Sequence, residues 1–81
     1  MSILRIFRME TDILLKLGQK IRYERTKRKM SQEQLAELAD LNFRSISYIE
    51  CGRHDVKCTT LEKIAKAFDM EVYELLHFVL S

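Results

Sequence analysis

The twenty-two residues from Ser31 to Gly52, SQEQLAELADLNFRSISYIECG, constrain this chain more than any other feature. They read as two short helices joined by a tight turn. Ser31 has the chemistry of an N-cap, and Gln34, three residues on, completes a capping box. Behind that cap Leu35, Ala36, Leu38 and Ala39 recur at helical spacing, and Ala36 is small enough to let a second helix approach. Asp40–Leu41–Asn42 sets two turn formers around one apolar residue, so the first helix must stop near Asp40. Asn42 then caps a second helix. In it Ile46 and Ile49 stand at i and i+3 and are expected in the core. Phe43, Arg44, Ser47 and Tyr48 fall on the other faces and carry planar or hydrogen-bonding groups. Gly52 suits the stop, because a positive φ is cheap only for glycine.

The rest of the chain follows the same helical logic. It has 81 residues, no proline and two glycines, which leaves room for one domain and no strand-and-turn series. The expected fold class is all-α, a compact set of five helices. Helix one should begin at Thr11 or Asp12, carry the stripe Ile13, Leu17 and Ile21, and end around Lys27–Lys29. Helix four should begin at Thr59, with Glu62 closing a capping box, and bury Leu61, Ile64, Ala65 and Phe68. Helix five should begin near Glu71. Val72, Leu75, Leu76 and Val79 form one stripe on it, and Tyr73, His77 and Leu80 a second. Residues 1–10 form an N-terminal arm in which Ile3 to Arg8 suits a frayed arm, a short strand or an extra helical turn, and residues 11–81 form the folded domain.

Charge is distributed unevenly. Residues 1–29 hold nine Lys/Arg and three Asp/Glu, a local +6, whereas the remainder holds five and nine, a local −4. Such an asymmetry suits an end that faces phosphate; a solvated helix face is the plainer alternative. No segment approaches the ~20 apolar residues of a membrane span, and the opening MSILRIFRMETD is too short in apolar residues for a secretory signal. The expectation is a cytoplasmic protein with no membrane partner.

Two short helices with a polar, aromatic-bearing surface on the second present side chains as a major-groove reader does. Here the sequence resembles the helix-turn-helix proteins of the phage Cro and repressor type, the XRE family. The shared pattern is Ser31–Gln32, Ala36, Ile46, Ile49 and the Glu50-x-Gly52 ending. Upstream it includes Ile21, Arg22 and Arg25, and downstream Leu61, Ile64–Ala65, Phe68 and Leu75. The resemblance spans roughly Leu17 to Leu76 and implies a lambda-repressor-like domain with helices two and three as the helix-turn-helix. Asp40 and Asp69 stand where the family often has glycine, at a plausible cost of roughly 1 kcal/mol each. The loop after Gly52 lacks the proline common in relatives.

The candidate site follows from both readings. Gln32 opens helix two, where backbone N–H groups favour a phosphate, and the resemblance gives it a DNA-backbone contact. Arg44 is the best base reader, since a guanidinium can bond both acceptors of guanine; a phosphate contact is its alternative. Ser47 and Tyr48 share its surface, where Tyr48 suits sugar or phosphate equally well, Phe43 suits a thymine methyl or the turn beside it, and Asn42 stands at the same end. Arg53 and Lys57 in the following loop suit phosphate or plain solvation. Glu50 would be repelled by DNA, and the resemblance instead pairs it with Arg25. Tyr73, His77, Phe78 and Leu80 are expected on outer faces of helix five, as the interface of a homodimer.

Cys51, His54 and Cys58 fall one ligand short of a usual structural zinc site, so the expectation is reduced thiols, no metal and no cofactor. No nucleophile motif or glycine-rich phosphate loop suggests an enzyme. The expected function is a sequence-specific transcriptional regulator. It binds double-stranded DNA as a homodimer on a near-palindromic operator, with RNA polymerase a candidate partner. Restriction–modification controllers and phage repressors are the compact subtypes. An antitoxin-like interaction module and a metal- or redox-responsive switch are the competing readings.

Overall fold

The computed structural model describes residues 3–80, with side chains described from Ile13 to Phe78. Its elements are α1 (Ile3–Lys27), α2 (Gln32–Ala39), α3 (Phe43–Cys51), α4 (Cys58–Ala67), α5 (Val72–Leu75) and α6 (His77–Leu80). The described residues contain no strand, as the all-α expectation requires. Leu17 and Ile21 of α1, Leu35, Ala36 and Ala39 of α2, Ile46 and Ile49 of α3, Leu61, Ile64 and Ala65 of α4, Phe68 and Leu75 form one buried cluster.

The helix starts share a device. At each N-terminus from α2 to α5, the residue before the cap is apolar and packs on the core, and the fourth helical residue is buried. The pairs are Met30 with Leu35, Leu41 with Ile46, Val56 with Leu61, and Met70 with Leu75. These are the positions of a hydrophobic staple, which fixes the angle at which the chain enters a helix. The polar caps differ more. Ser31 and Gln34 form the expected capping box, and the Asn42 side chain accepts from the Arg44 amide at 2.8 Å. Glu71 and Glu74 form a further box at α5.

The helix ends also repeat. α1, α2 and α4 are each followed by one left-handed residue, Lys29, Asp40 or Asp69, and then by the apolar residue of the next staple. The amides of Met30, Leu41 and Met70 reach back to the carbonyls of Arg25, Ala36 and Ala65 at 3.1, 2.8 and 2.8 Å. This is the long bond of a Schellman stop. One chain reversal therefore closes one helix and aims the next.

Several expectations are corrected. α1 begins at Ile3 rather than at Thr11 or Asp12, because residues 3–12 contain no Gly or Pro to stop a helix. The helix thus runs through the anticipated boundary between residues 10 and 11. α4 begins at Cys58 with Lys57 as an N-cap that makes no side-chain bond. The Val56–Leu61 staple, not a Thr59–Glu62 box, sets that start. Ile13, on the apolar stripe of α1, and Leu38, on that of α2, are nevertheless exposed, Leu38 by 60%. The fifth helix is interrupted at Leu76 (φ −96°, ψ 8°), which splits it into α5 and α6. Phe78, expected on an outer face, is half-buried against the core. The side chains of Val79 and Leu80 lie outside the described residues.

Candidate nucleic-acid interface

The geometry of α3 is set before any of its outward side chains matter. Ile46 and Ile49 hold its inner face in the core, Asn42 caps its start and Gly52 (φ 69°) ends it. Both glycines of the chain lie where α1 meets the C-terminal end of this helix. A Cβ on Gly18 would stand 2.6 Å from the Ile49 carbonyl oxygen and 2.7 Å from that of Glu50. A Cβ on Gly52 would stand 2.9 Å from Leu15 Cα. Backbone therefore packs on backbone, and any side chain at either position would push α3 away from α1.

An ion pair sits beside this contact. Arg25 Nε donates to Glu50 Oε2 at 2.6 Å and Arg25 Nη2 to Glu50 Oε1 at 3.0 Å. Arg25 Nη1 donates to the Met30 carbonyl at 2.7 Å. One guanidinium thus bridges the end of α1, the entry to α2 and the end of α3. Such a two-toothed pair fixes orientation as well as distance. The hydrogen bonds to Glu50 hold the Arg25 pKa above its ordinary value, against the opposing effect of burial. The Gln32 amide donates to Glu50 Oε1 at 3.1 Å, which ties the first residue of α2 into the same group.

On the outward side, Phe43, Arg44 and Tyr48 are exposed and Ser47 is half-buried. The spacing brings them to one side of α3, with Ile46 and Ile49 on the other. The Asn42 carboxamide oxygen is used in the cap, so any contact with a nucleic acid falls to its NH2. Gln32 is only half-exposed and engaged with Glu50, a more internal position than a purely phosphate-facing residue would hold. Arg53 and Lys57 are exposed on the loop after Gly52. Within that loop His54 turns back, and its ring meets Tyr48 at a centroid distance of 4.9 Å.

Part of the basic N-terminal segment is taken up in ion pairs with internal carboxylates. Glu24 is 4% exposed and collects Arg28 at 2.6 Å, Lys20 at 2.9 Å and Lys27 at 3.7 Å. Burial alone would raise the pKa of its carboxyl. The hydrogen bonds of Arg28 and Lys20, with the charges of Lys20 and Lys27, outweigh that and lower it. Arg28 also donates to the Phe68 carbonyl at 2.9 Å and lies 4.8 Å from the centre of the Phe68 ring. Among the described residues Lys20, Arg25, Lys27 and Arg28 are thus partnered by Glu24 or Glu50, while Lys16, Arg22 and Lys29 remain exposed. Sequence reasoning passed over Glu24, although Lys20 and Arg28 stand four residues to either side of it, the spacing of helical ion pairs. It also passed over Gly18, where a lone glycine inside a helical run signals close packing.

Cys51 and Cys58 are exposed free thiols. Among the described residues no group of three or more His, Cys, Asp or Glu side chains stands close enough to hold a metal ion. No helix among them is long and apolar enough to cross a membrane.

Comparison with known proteins converges on this two-helix unit. Residues 21–75 match the family described as Helix-turn-helix. The chain is 44% identical over 71 residues to the control protein C.BamHI of Bacillus amyloliquefaciens, covering 86% of this chain and 88% of that protein. It is 39% identical over 56 residues to the immunity repressor protein of Bacillus phage phi105, covering 69% of this chain and 39% of the repressor. Among solved structures, the restriction–modification controller protein C.AhdI of Aeromonas hydrophila superposes with a TM-score of 0.75 at 39% identity. That match covers 76% of this chain and 94% of the controller.

Proposed function

Because the chain belongs to the helix-turn-helix family, we propose that it regulates transcription as a homodimer of the restriction–modification controller type, seated on a near-palindromic operator. It is a DNA-binding regulator and not an enzyme. The observation that carries the finer reading is the fixed α3. Its core face, cap, glycine contacts and Arg25–Glu50 pair leave Arg44, Ser47 and Tyr48 on a rigid outward surface, as a reader of base edges requires. Arg44 is the base reader, Ser47 lies beside it, Tyr48 meets base edge, sugar or phosphate, and Phe43 meets a thymine methyl. Gln32, Asn42, Arg53 and Lys57 position the protein on phosphates.

The controller subtype is favoured by extent. Similarity runs over 88% of C.BamHI and 94% of C.AhdI but over only 39% of the phage repressor. The dimer surface lies around Tyr73, which is 72% exposed, and His77. Phe78 supports that surface from within its own domain. Twofold symmetry would set two copies of α3 about 34–36 Å apart, one turn of DNA. Bound there, the dimer blocks or recruits RNA polymerase.

Selection of binding sites from random duplex DNA tests the whole reading. The expected product is two inverted half-sites one helical turn apart, bound in a salt-dependent manner. Arg44→Ala should relax preference at one base pair per half-site and weaken binding by about 1–3 kcal/mol. Enrichment of no sequence, or of an isolated half-site, would refute it.

A further inference from the structure

We infer that His54 is a positioning residue for Tyr48, fixing the phenol ring in the orientation with which the protein meets its operator. This rests on the docking surface proposed above. Tyr48 is 49% exposed. An exposed tyrosine on a helix samples several rotamers, and binding must then suppress all but one. In this chain the left-handed turn at Gly52 sends the backbone back along α3, and His54, two residues later, lays its ring against Tyr48. The centroids are 4.9 Å apart and the planes are inclined at 57°. That tilt lies within the geometry in which aromatic rings attract one another beyond the area they bury. His54 is itself exposed and lies on a loop, so the contact is not one the core imposes. The helix stop, the loop path and the ring pair together pre-order a side chain on the candidate reading surface.

A positioning role and a direct contact of the imidazole with DNA make opposite predictions, and a double-mutant cycle separates them. Operator affinity is measured for the full chain, for His54→Ala, Tyr48→Ala and the double variant, and for His54→Phe, with thermal melts to show that each is folded. His54→Ala should weaken binding about three- to tenfold, the range expected from losing one aromatic pair. It should also flatten the base preference that Tyr48→Ala flattens. In the Tyr48→Ala background the same change should do almost nothing. His54→Phe keeps a planar ring without its nitrogens and should restore most of the affinity and the preference. Undiminished binding by His54→Ala, an equal loss in both backgrounds, or failure of folded His54→Phe to recover would each overturn the inference. The control is the unmodified chain: if it selects no DNA sequence, the docking surface fails. If it does select one and His54→Ala behaves like it, only the role of His54 fails.

Discussion

The joints after α1, α2 and α4 are built alike, and the joint after α3 is not. Each of the first three reverses the chain through one left-handed residue and hands an apolar side chain to the next helix. None needs glycine, and Lys29, Asp40 and Asp69 occupy those positions. The joint after α3 uses Gly52 and then the loop of residues 53–57. There conformation is only half of the constraint, because a Cβ would also meet the backbone of α1. The repeated joints pack the domain; the exceptional one carries Arg53, His54 and Lys57 toward the candidate interface. Ion pairs brace both kinds. Arg25 reaches the Met30 carbonyl after α1 and the end of α3, and Arg28, held by Glu24, reaches the Phe68 carbonyl after α4.

The sharpest way to break this contrast is Gly52→Ala. A positive φ and a backbone clash together should destabilise the fold by about 3 kcal/mol in urea unfolding. A loss below about 1 kcal/mol would place the joint after α3 with the other three. Next comes Arg25→Ala, which strands Glu50 and should cost about 2–3 kcal/mol. The cycle with Glu50→Ala should show a coupling of at least about 1 kcal/mol, whereas additive effects would mean that the pair does not brace α3.

Glu24→Gln tests the other brace and should cost about 1–2 kcal/mol at neutral pH, less than a fully buried pair because its cations keep contact with water. Its carboxyl is held below its ordinary value in the folded protein. Stability from the charged form is therefore complete above the ordinary glutamate range and is lost as pH falls through the folded value. The gap between the unmodified chain and Glu24→Gln should accordingly narrow on acidification; a gap that does not change with pH would show that Glu24 acts by shape alone. The smallest effect has the opposite sign. Asp40→Gly or Asp69→Gly should stabilise by about 0.5–1 kcal/mol in thermal melts, since glycine removes the left-handed strain. A loss would reveal that the aspartate makes a compensating contact.

Much of this architecture is local, and local features were legible. Ser31 with Gln34, and Asn42, act on partners within a few residues, so their roles depend on neighbours in sequence; at Gly52 only the positive φ is local. Misreadings arose where two local signals competed. Thr59 with Glu62 has the pattern of a cap, but the helix starts at Cys58, where Val56 and Leu61 hold the staple positions and both pack on the core. Nothing in residues 3–12 stops a helix, and capping chemistry at Thr11 and Asp12 was not enough to begin a new one. The candidate interface was legible as a set of residues on α3 and its loop, but not as a geometry.

Capping bonds, left-handed stops and apolar periodicity are properties of adjacent residues, and they reveal the two-helix unit, the family and most buried positions, but not the start of α4, the break at Leu76 or the burial of Phe78. What depends on the folded chain is the backbone contact at Gly18, the burial of Glu24, the link from Gln32 to Glu50, and the ring of His54 against Tyr48. Apart from the short-range cluster around Glu24, these join elements distant in the chain or separated by a reversal. Even at Glu24, burial depends on how α1 crosses its neighbours. Helix crossing and loop path set these contacts, and no periodicity along the chain encodes them.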